Sequence, residues 1–443
     1  MNIILLSGGS GKRLWPLSND VRSKQFLQLL ADKENGHESM VKRVYRQIQA
    51  ANLDANIVVA TSASQKDSIK IQLSHKVDIV VEPERRNTFP AIVLATSYLL
   101  TEKKIDPNET VIVLPVDPYV DLEYFETFKK MEQAVQSDQS DIVLMGLQPT
   151  YPSSKYGYAV VDEKDRSRIV GFKEKPTETV AEEMIQQGAL WNAGVFAFKL
   201  GYLQKITQKY LPDCGYPYVL EHYSSLKKDS FDYEVVEKAE SLSIITYQGQ
   251  WKDIGTWNTL TEVMSETSIG DVTVGEECQN THVINELSIP IVVLGAKDLV
   301  IAASPDGILV SDKQKSSYIK PYVEKLGDRP MYEESIWGDY KVLDYSQYEN
   351  ERKSLTKQIM VKKGRYIDYM LHSLRDEVWT IVDGKGYITI DGITSVARNG
   401  DVFNLRAGDK HGFRAITDVH MIEVQVGQEL SEDDAQVFDW PSV

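Results

Sequence analysis

The chain opens MNIILLSGGSGKRLWPLSNDVRSKQFLQLL, Met1 to Leu30, and the reading of this stretch decides the fold. Asn2 to Leu6 is a short, near-continuous apolar run, the pattern of a strand buried on both faces. Ser7-Gly8-Gly9-Ser10-Gly11 follows at once. Glycine carries no Cβ, so backbone N–H groups in such a loop can close on an anion. Lys12, Arg13 and Lys24 add positive charge around the corner Trp15-Pro16-Leu17-Ser18. Together they point to a nucleoside triphosphate rather than to an ordinary glycine turn. The spacing is neither that of the Walker P-loop nor that of the GxGxxG dinucleotide fingerprint.

Outward from this stretch, short β-branched runs alternate with helical segments as far as Leu147. Ile57–Ala60, Val77–Val81, Val111–Leu114 and Ile142–Leu147 read as strands. Ser39–Ala50, Ser64–His75, Thr88–Lys103 and Leu122–Gln136 read as helices. That alternation predicts a doubly wound α/β domain with a parallel sheet, and its ligands are expected at the carboxyl ends of the strands. Two such ends carry polar residues. Glu82-Pro83-Glu84-Arg85-Arg86-Asn87-Thr88-Phe89-Pro90-Ala91 opens a helix that Asn87 or Thr88 would cap, and Asp117 follows the Val111–Leu114 run.

The bulk composition narrows the function. The chain has 443 residues, 26% charged and 42% apolar, which suits a globular protein of two or three domains. Its 49 basic and 65 acidic residues give a net charge of −16. So acidic a chain is a poor nonspecific binder of nucleic acid or anionic membrane, and an anionic substrate needs a local basic site. No apolar run reaches transmembrane length, and the strand-like N-terminus lacks the charged start of a signal peptide, so a cytoplasmic location is expected. Cys214 and Cys278 stand far apart and suggest neither a disulfide framework nor a cysteine metal site.

GGSGKRLWPLS followed by KQFL resembles the signature of the sugar-phosphate nucleotidylyltransferases, and within them is most similar to the mannose-1-phosphate guanylyltransferases. Further motifs occur in the same order: EPERRNTFPA, LPVD, YGYAV, FKEKP, LWNAGVF, SFDYEVVEK and WKDIGTW. The resemblance implies a Rossmann-like, GT-A-like nucleotidyltransferase domain over residues 1–268. It implies that Leu6, Gly8, Gly9, Gly11, Lys12, Arg86, Asn87 and Thr88 hold GTP. Arg13 and Lys24 would steady the charge developing on the pyrophosphate. Gly157, Glu174, Lys175 and Asn192 would bind the sugar-1-phosphate, and Asp117 with Asp253 would hold Mg2+. The reaction implied is in-line attack of the sugar phosphate on the α-phosphorus, with loss of pyrophosphate. Other sugars such as a manno-heptose, other nucleoside triphosphates, and a non-catalytic sugar-nucleotide sensor remain alternatives. Ser23 stands where the family has proline, which is expected to loosen the loop. Phe89 stands where alanine is common, which bears on base selectivity.

From about Asp271 the pattern changes to short β runs, similar to the family's β-helical linker, taken as residues 269–335. Residues 336–443 alternate β runs with glycine-containing turns, which predicts a jelly-roll, cupin-like barrel. The barrel resembles the type II phosphomannose isomerase module fused to long-form guanylyltransferases. His372, Glu377 and His411 match its metal-binding residues, but Leu374 stands where a ligand histidine is expected. The site is therefore read as degenerate and the barrel as a scaffold, and the whole chain is expected to form a homodimer.

Overall fold

A computed structural model describes residues 1–9, 11–32, 36–138, 140–326, 329–349 and 351–441. Ser10 of the glycine loop lies outside the described residues. The chain forms two compact units, one of Met1–Gly11 with Ser23–Ser265, the other of Lys12–Arg22 with Glu266–Val443.

The first unit is built on a nine-stranded sheet in which Asn2–Ser7 is an interior strand. Asn56–Ser62 and Thr110–Pro115 flank it in parallel, with Leu6 facing Ala60 on one side and Pro115 on the other. Asp78–Glu82 extends the sheet in parallel. Alternation along Asn2–Ser7 sends Ile3 and Leu5 into one core and Ile4 into the other. Val41, Val44, Phe125 and Phe128, on the helices Met40–Ala50 and Leu122–Gln136, fill the first core. The helix Thr88–Thr101 fills the second with Phe89, Ile92, Val93 and Leu99. Each such fully buried side chain contributes roughly 1.5–3 kcal/mol. Ser39 and Asp121 cap their helices by accepting the N–H groups of Lys42 and Tyr124. The fold is the doubly wound α/β domain that the alternation of runs predicts.

The sheet is mixed rather than parallel. Leu190–Lys199 runs antiparallel between Thr110–Pro115 and Ile142–Leu147. Gly194, at φ 71°, breaks its register between Asn192 and Phe196. Its first half therefore also pairs with Tyr158–Val161, while its second half pairs with Thr110–Pro115. A conformation that only glycine adopts without strain at this point turns one apolar run into two differently paired segments.

In the second unit, Ser268–Ile269, His282–Asn285 and Leu299–Ser304 stack in parallel, and Gly307–Asp312 closes the sheet antiparallel. Asn285 binds the carbonyls of Asp271 and Ile289 through Nδ2, at 2.9 and 2.8 Å, and so closes one turn of this β-helix. The segment Lys12–Arg22 packs on it. Ser304 Oγ donates to the Pro16 carbonyl at 2.6 Å, Asn19 Nδ2 to Asp306 at 2.7 Å, and Arg22 grips Glu286 at 2.7 and 3.0 Å. The Trp15 ring lies where a Cβ on Gly307 would come within 2.5 Å, so Gly307 has to be glycine.

His282 is buried in this unit, and burial together with the nearby Lys313 charge lowers its pKa to about 4. Unfolded histidine titrates near 6.5, so the folded chain binds fewer protons between pH 4 and 6.5. Stability present above pH 6.5 is therefore lost as the pH falls through 4, by up to about 3 kcal/mol. Thermal melts across this range should show the fall, and His282→Leu should flatten it; an equally steep slope in the variant rules His282 out as its source.

The remainder of the second unit is a cupin barrel of two antiparallel sheets. One sheet contains Lys353–Val361, Val419–Gly427 and Arg375–Asp383; the other contains Lys385–Ile390, His411–Ala415 and Tyr366–Leu371. Trp379, Ile388, Phe413 and Met421 form the core between them.

Candidate active site

The carboxyl ends of the four parallel strands open onto one cavity of about 360 Å³. Leu6, Gly8 and Gly9 line it from Asn2–Ser7, Ser62 from its neighbour, Arg86, Asn87 and Thr88 from the segment after Asp78–Glu82, and Asp117 from beyond Thr110–Pro115. Gly9, at φ 112°, turns the loop, and nothing lies within 4 Å of where a Cβ on Gly8 or Gly9 would stand. A ligand can thus approach this backbone directly.

Ser23 does not loosen the loop. Its buried hydroxyl donates to the Gly9 carbonyl at 2.8 Å, and Gln65 Nε2 donates to the same carbonyl at 2.9 Å. A hydroxyl supplies a tie that proline could not make. The neighbouring Lys24 places its ammonium 2.7 Å from Asp117 Oδ2. Lys12 and Arg13 belong to the segment of the second unit, where Lys12 pairs with Asp20 at 3.2 Å and Arg13 is exposed.

Asn87, at φ 74°, caps the Thr88–Thr101 helix by accepting the Thr88 N–H at 2.8 Å. The next N–H, of Phe89, donates to the Asp229 carbonyl at 3.2 Å, and Pro90 has none, so this helix start offers the cavity the positive end of its dipole rather than free N–H groups. Arg86 is anchored on the Leu226 carbonyl at 3.0 Å and on Glu84 at 3.1 Å. Phe89 turns the other way. It is fully buried in the core, 5.4 Å from the Tyr210 ring, so it does not read the base directly.

Asp117 also lines a second cavity of about 200 Å³, together with Gly157, Glu174, Asn192, Asp232 and Asp253. Asp253 arrives there because Trp251–Asp253 pairs antiparallel with Pro118–Val120, in register with Pro118. Two carboxylates separated by well over a hundred residues thus share one wall. Both offer hard oxygen donors of the kind a hard divalent cation takes, and the Lys24 ammonium occupies one oxygen of Asp117. Lys175, at φ 44°, keeps its ammonium 2.8 Å from Glu174 Oε1 and half exposed. Asn192 is held at both ends: its Oδ1 accepts the Gly194 N–H at 3.0 Å and its Nδ2 donates to Asp232 at 2.7 Å.

Asp232 is a pocket residue that sequence reasoning passed over. SFDYEVVEK reads as a helix packing beneath the sugar site, and only the fold shows that its aspartate faces the cavity. Burial, then the charge of Glu174, pushes its pKa up to about 7.

In the barrel, the ligand atoms of His372, Glu377 and His411 lie within 4.8 Å of one another and all three residues are buried. Leu374 is half exposed. Among the described residues no helix is long and apolar enough to cross a membrane.

Comparison with known proteins agrees with both halves. Residues 2–268 match the nucleotidyl transferase family, and residues 329–439 match the mannose-6-phosphate isomerase C-terminal family. A mannose-1-phosphate guanylyltransferase of Salmonella montevideo is 28% identical over 98% of both chains. The alginate biosynthesis protein AlgA of Pseudomonas putida is 27% identical over 98% of this chain and 95% of its own. A crystal structure from Thermus thermophilus, described as a mannose-1-phosphate geranyltransferase, is 29% identical with a TM-score of 0.59, covering 73% of this chain and 98% of that one. With its glycine loop, its strand-end cavities and a family match across more than half its length, the chain belongs to the nucleotidyl transferase family.

Proposed function

We propose that the protein transfers a guanylyl group from GTP to mannose-1-phosphate, giving GDP-mannose and pyrophosphate. The observation that carries this reading is Asp117, the residue at which a glycine-lined cavity meets a cavity lined by sugar-type hydrogen-bonding groups. The names of full-length relatives supply the base and the sugar. In this reading residues 1–268 carry the transfer, 269–335 form a β-helical linker, and 336–443 form the cupin barrel.

The glycine loop binds the triphosphate, Arg86, Asn87 and Thr88 approach the base and ribose, and Glu174 and Asn192 orient the sugar hydroxyls. Lys175 steers the sugar phosphate for in-line attack, and Lys24 balances the charge that develops on the leaving pyrophosphate. Such catalysis is positioning plus charge neutralisation, with no covalent enzyme intermediate. Asp117 and Asp253 would hold Mg2+, which when bound supplies Lewis-acid neutralisation of phosphate charge. A cytoplasmic site of action fits the nucleoside triphosphate substrate. The exposed Ile308 and Val310 on the outer strand of the β-helix offer a surface on which two copies could pair.

Pyrophosphate release tests the reading, with GTP, ATP, CTP and UTP each crossed against mannose-1-phosphate and glucose-1-phosphate. Turnover confined to GTP with mannose-1-phosphate is expected. Turnover with a different pair would move the specificity and keep the chemistry. Tight nucleotide binding without any turnover would favour the sensor.

A further inference from the structure

We propose that Arg375 is the resident cation of the cupin centre, its guanidinium taking the donor atoms that a divalent metal would need. The Arg375 side chain is 1% exposed and reaches into the cluster of His372, Glu377 and His411. His372 Nδ1 lies 2.9 Å from Asp434 Oδ1. The Asp434 carboxylate accepts, so Nδ1 carries the proton and Nε2 bears the lone pair. That lone pair accepts from Arg375 Nη2 at 2.9 Å. Glu377 Oε1 accepts from Arg375 Nε at 2.7 Å, and Glu377 Oε2 faces Trp379 Nε1 at 3.2 Å. The guanidinium is completed by the Ser431 carbonyl at 2.6 Å and Glu432 Oε2 at 2.8 Å.

A zinc-type site needs three good protein ligands with their lone pairs available. Here Nε2 of one histidine and one oxygen of the glutamate are already occupied. Leu374 adds no donor atom. Its backbone N–H instead donates to Asp434 Oδ2 at 3.1 Å, which helps hold the carboxylate that orients His372. A guanidinium does not lose its proton in proteins, so its charge is permanent. A metal ion taking His372 Nε2 and Glu377 would strip the guanidinium of two buried partners and set a second cation beside it, which disfavours entry. The residues present therefore do not fit a divalent metal, and the barrel is held by an internal ion-pair network instead. Metal-dependent isomerisation is absent from it, whatever the substrates of the first unit.

Cobalt(II) titration of the full-length protein tests this through the visible d–d bands of a histidine-ligated ion, which an oxygen-ligated ion at Asp117 and Asp253 would show only weakly. The wild-type protein is expected to develop no strong band, and its Tm is expected to be the same with and without EDTA. A stoichiometric band that His411→Gln abolishes, or a lowering of Tm by EDTA that His411→Gln removes, would overturn the proposal. The double variant Leu374→His with Arg375→Met should gain the band. If this variant folds, as judged by far-UV circular dichroism, and takes up no cobalt, the guanidinium is not what excludes the metal. If it does not fold, the wild-type spectrum and melts decide.

Discussion

Asp117→Asn should lower kcat for pyrophosphate release by about a thousandfold, about 4 kcal/mol of transition-state stabilisation. The substitution keeps the shape of the side chain and removes its charge. Asp117 is the charged residue that lines both cavities, which also share Pro115, and the partner of Lys24 at 2.7 Å. Neutralising it weakens cation binding with Asp253 and frees the Lys24 ammonium to shift. Nucleotide affinity should change far less, because the glycine loop keeps its open backbone approach. Steady-state kinetics with a parallel calorimetric titration separates the two effects. An unchanged kcat would remove Asp117 from the reaction, and an equal collapse of nucleotide binding would make its role structural.

Gly157→Ala should damage the sugar side selectively. A Cβ at this position would lie 2.4 Å from Glu174 Oε2 and 3.0 Å from Phe172 Cζ. Glu174 has little room to yield. It is 5% exposed, its Oε1 is held by Lys175 at 2.8 Å, and its backbone N–H is tied to Glu237 Oε1 at 2.8 Å. Forcing the carboxylate aside by about 1 Å is worth about a hundredfold in kcat/KM for the sugar phosphate. The overpacking itself costs about 1–3 kcal/mol of stability. The same kinetic experiment reads it: sugar-phosphate KM should rise while the nucleotide Kd holds. A uniform loss for both substrates would indicate partial unfolding instead.

Much of the site is legible in the sequence because its parts are local. The glycine loop, the Asn87 cap and Asp117 each sit directly after an apolar strand-length run, and parallel strands bring such ends to one edge. Glu174, Asn192 and Asp253 lie in motifs whose order supports one another. Phe89 and Ser23 show where local reading fails. Both were judged by the residue they replace, whereas burial turned one into the core and a hydrogen bond made the other a tie. Asp232 escapes for a similar reason: a short helical motif does not reveal which of its side chains faces a cavity assembled from five other segments.

The amino-acid sequence by itself determined the doubly wound class, the strand-end location of the cavity, the β-helical stretch and the cupin barrel, since each follows from periodicity and turn residues along contiguous chain. Tertiary structure alone decided the antiparallel Leu190–Lys199 strand, the transfer of Lys12–Arg22 to the second unit, the meeting of Asp117 with Asp253, and the filling of the cupin centre by Arg375. These depend on contacts between residues far apart in the chain, and on burial, which makes one pairing of charges and lone pairs exclude another.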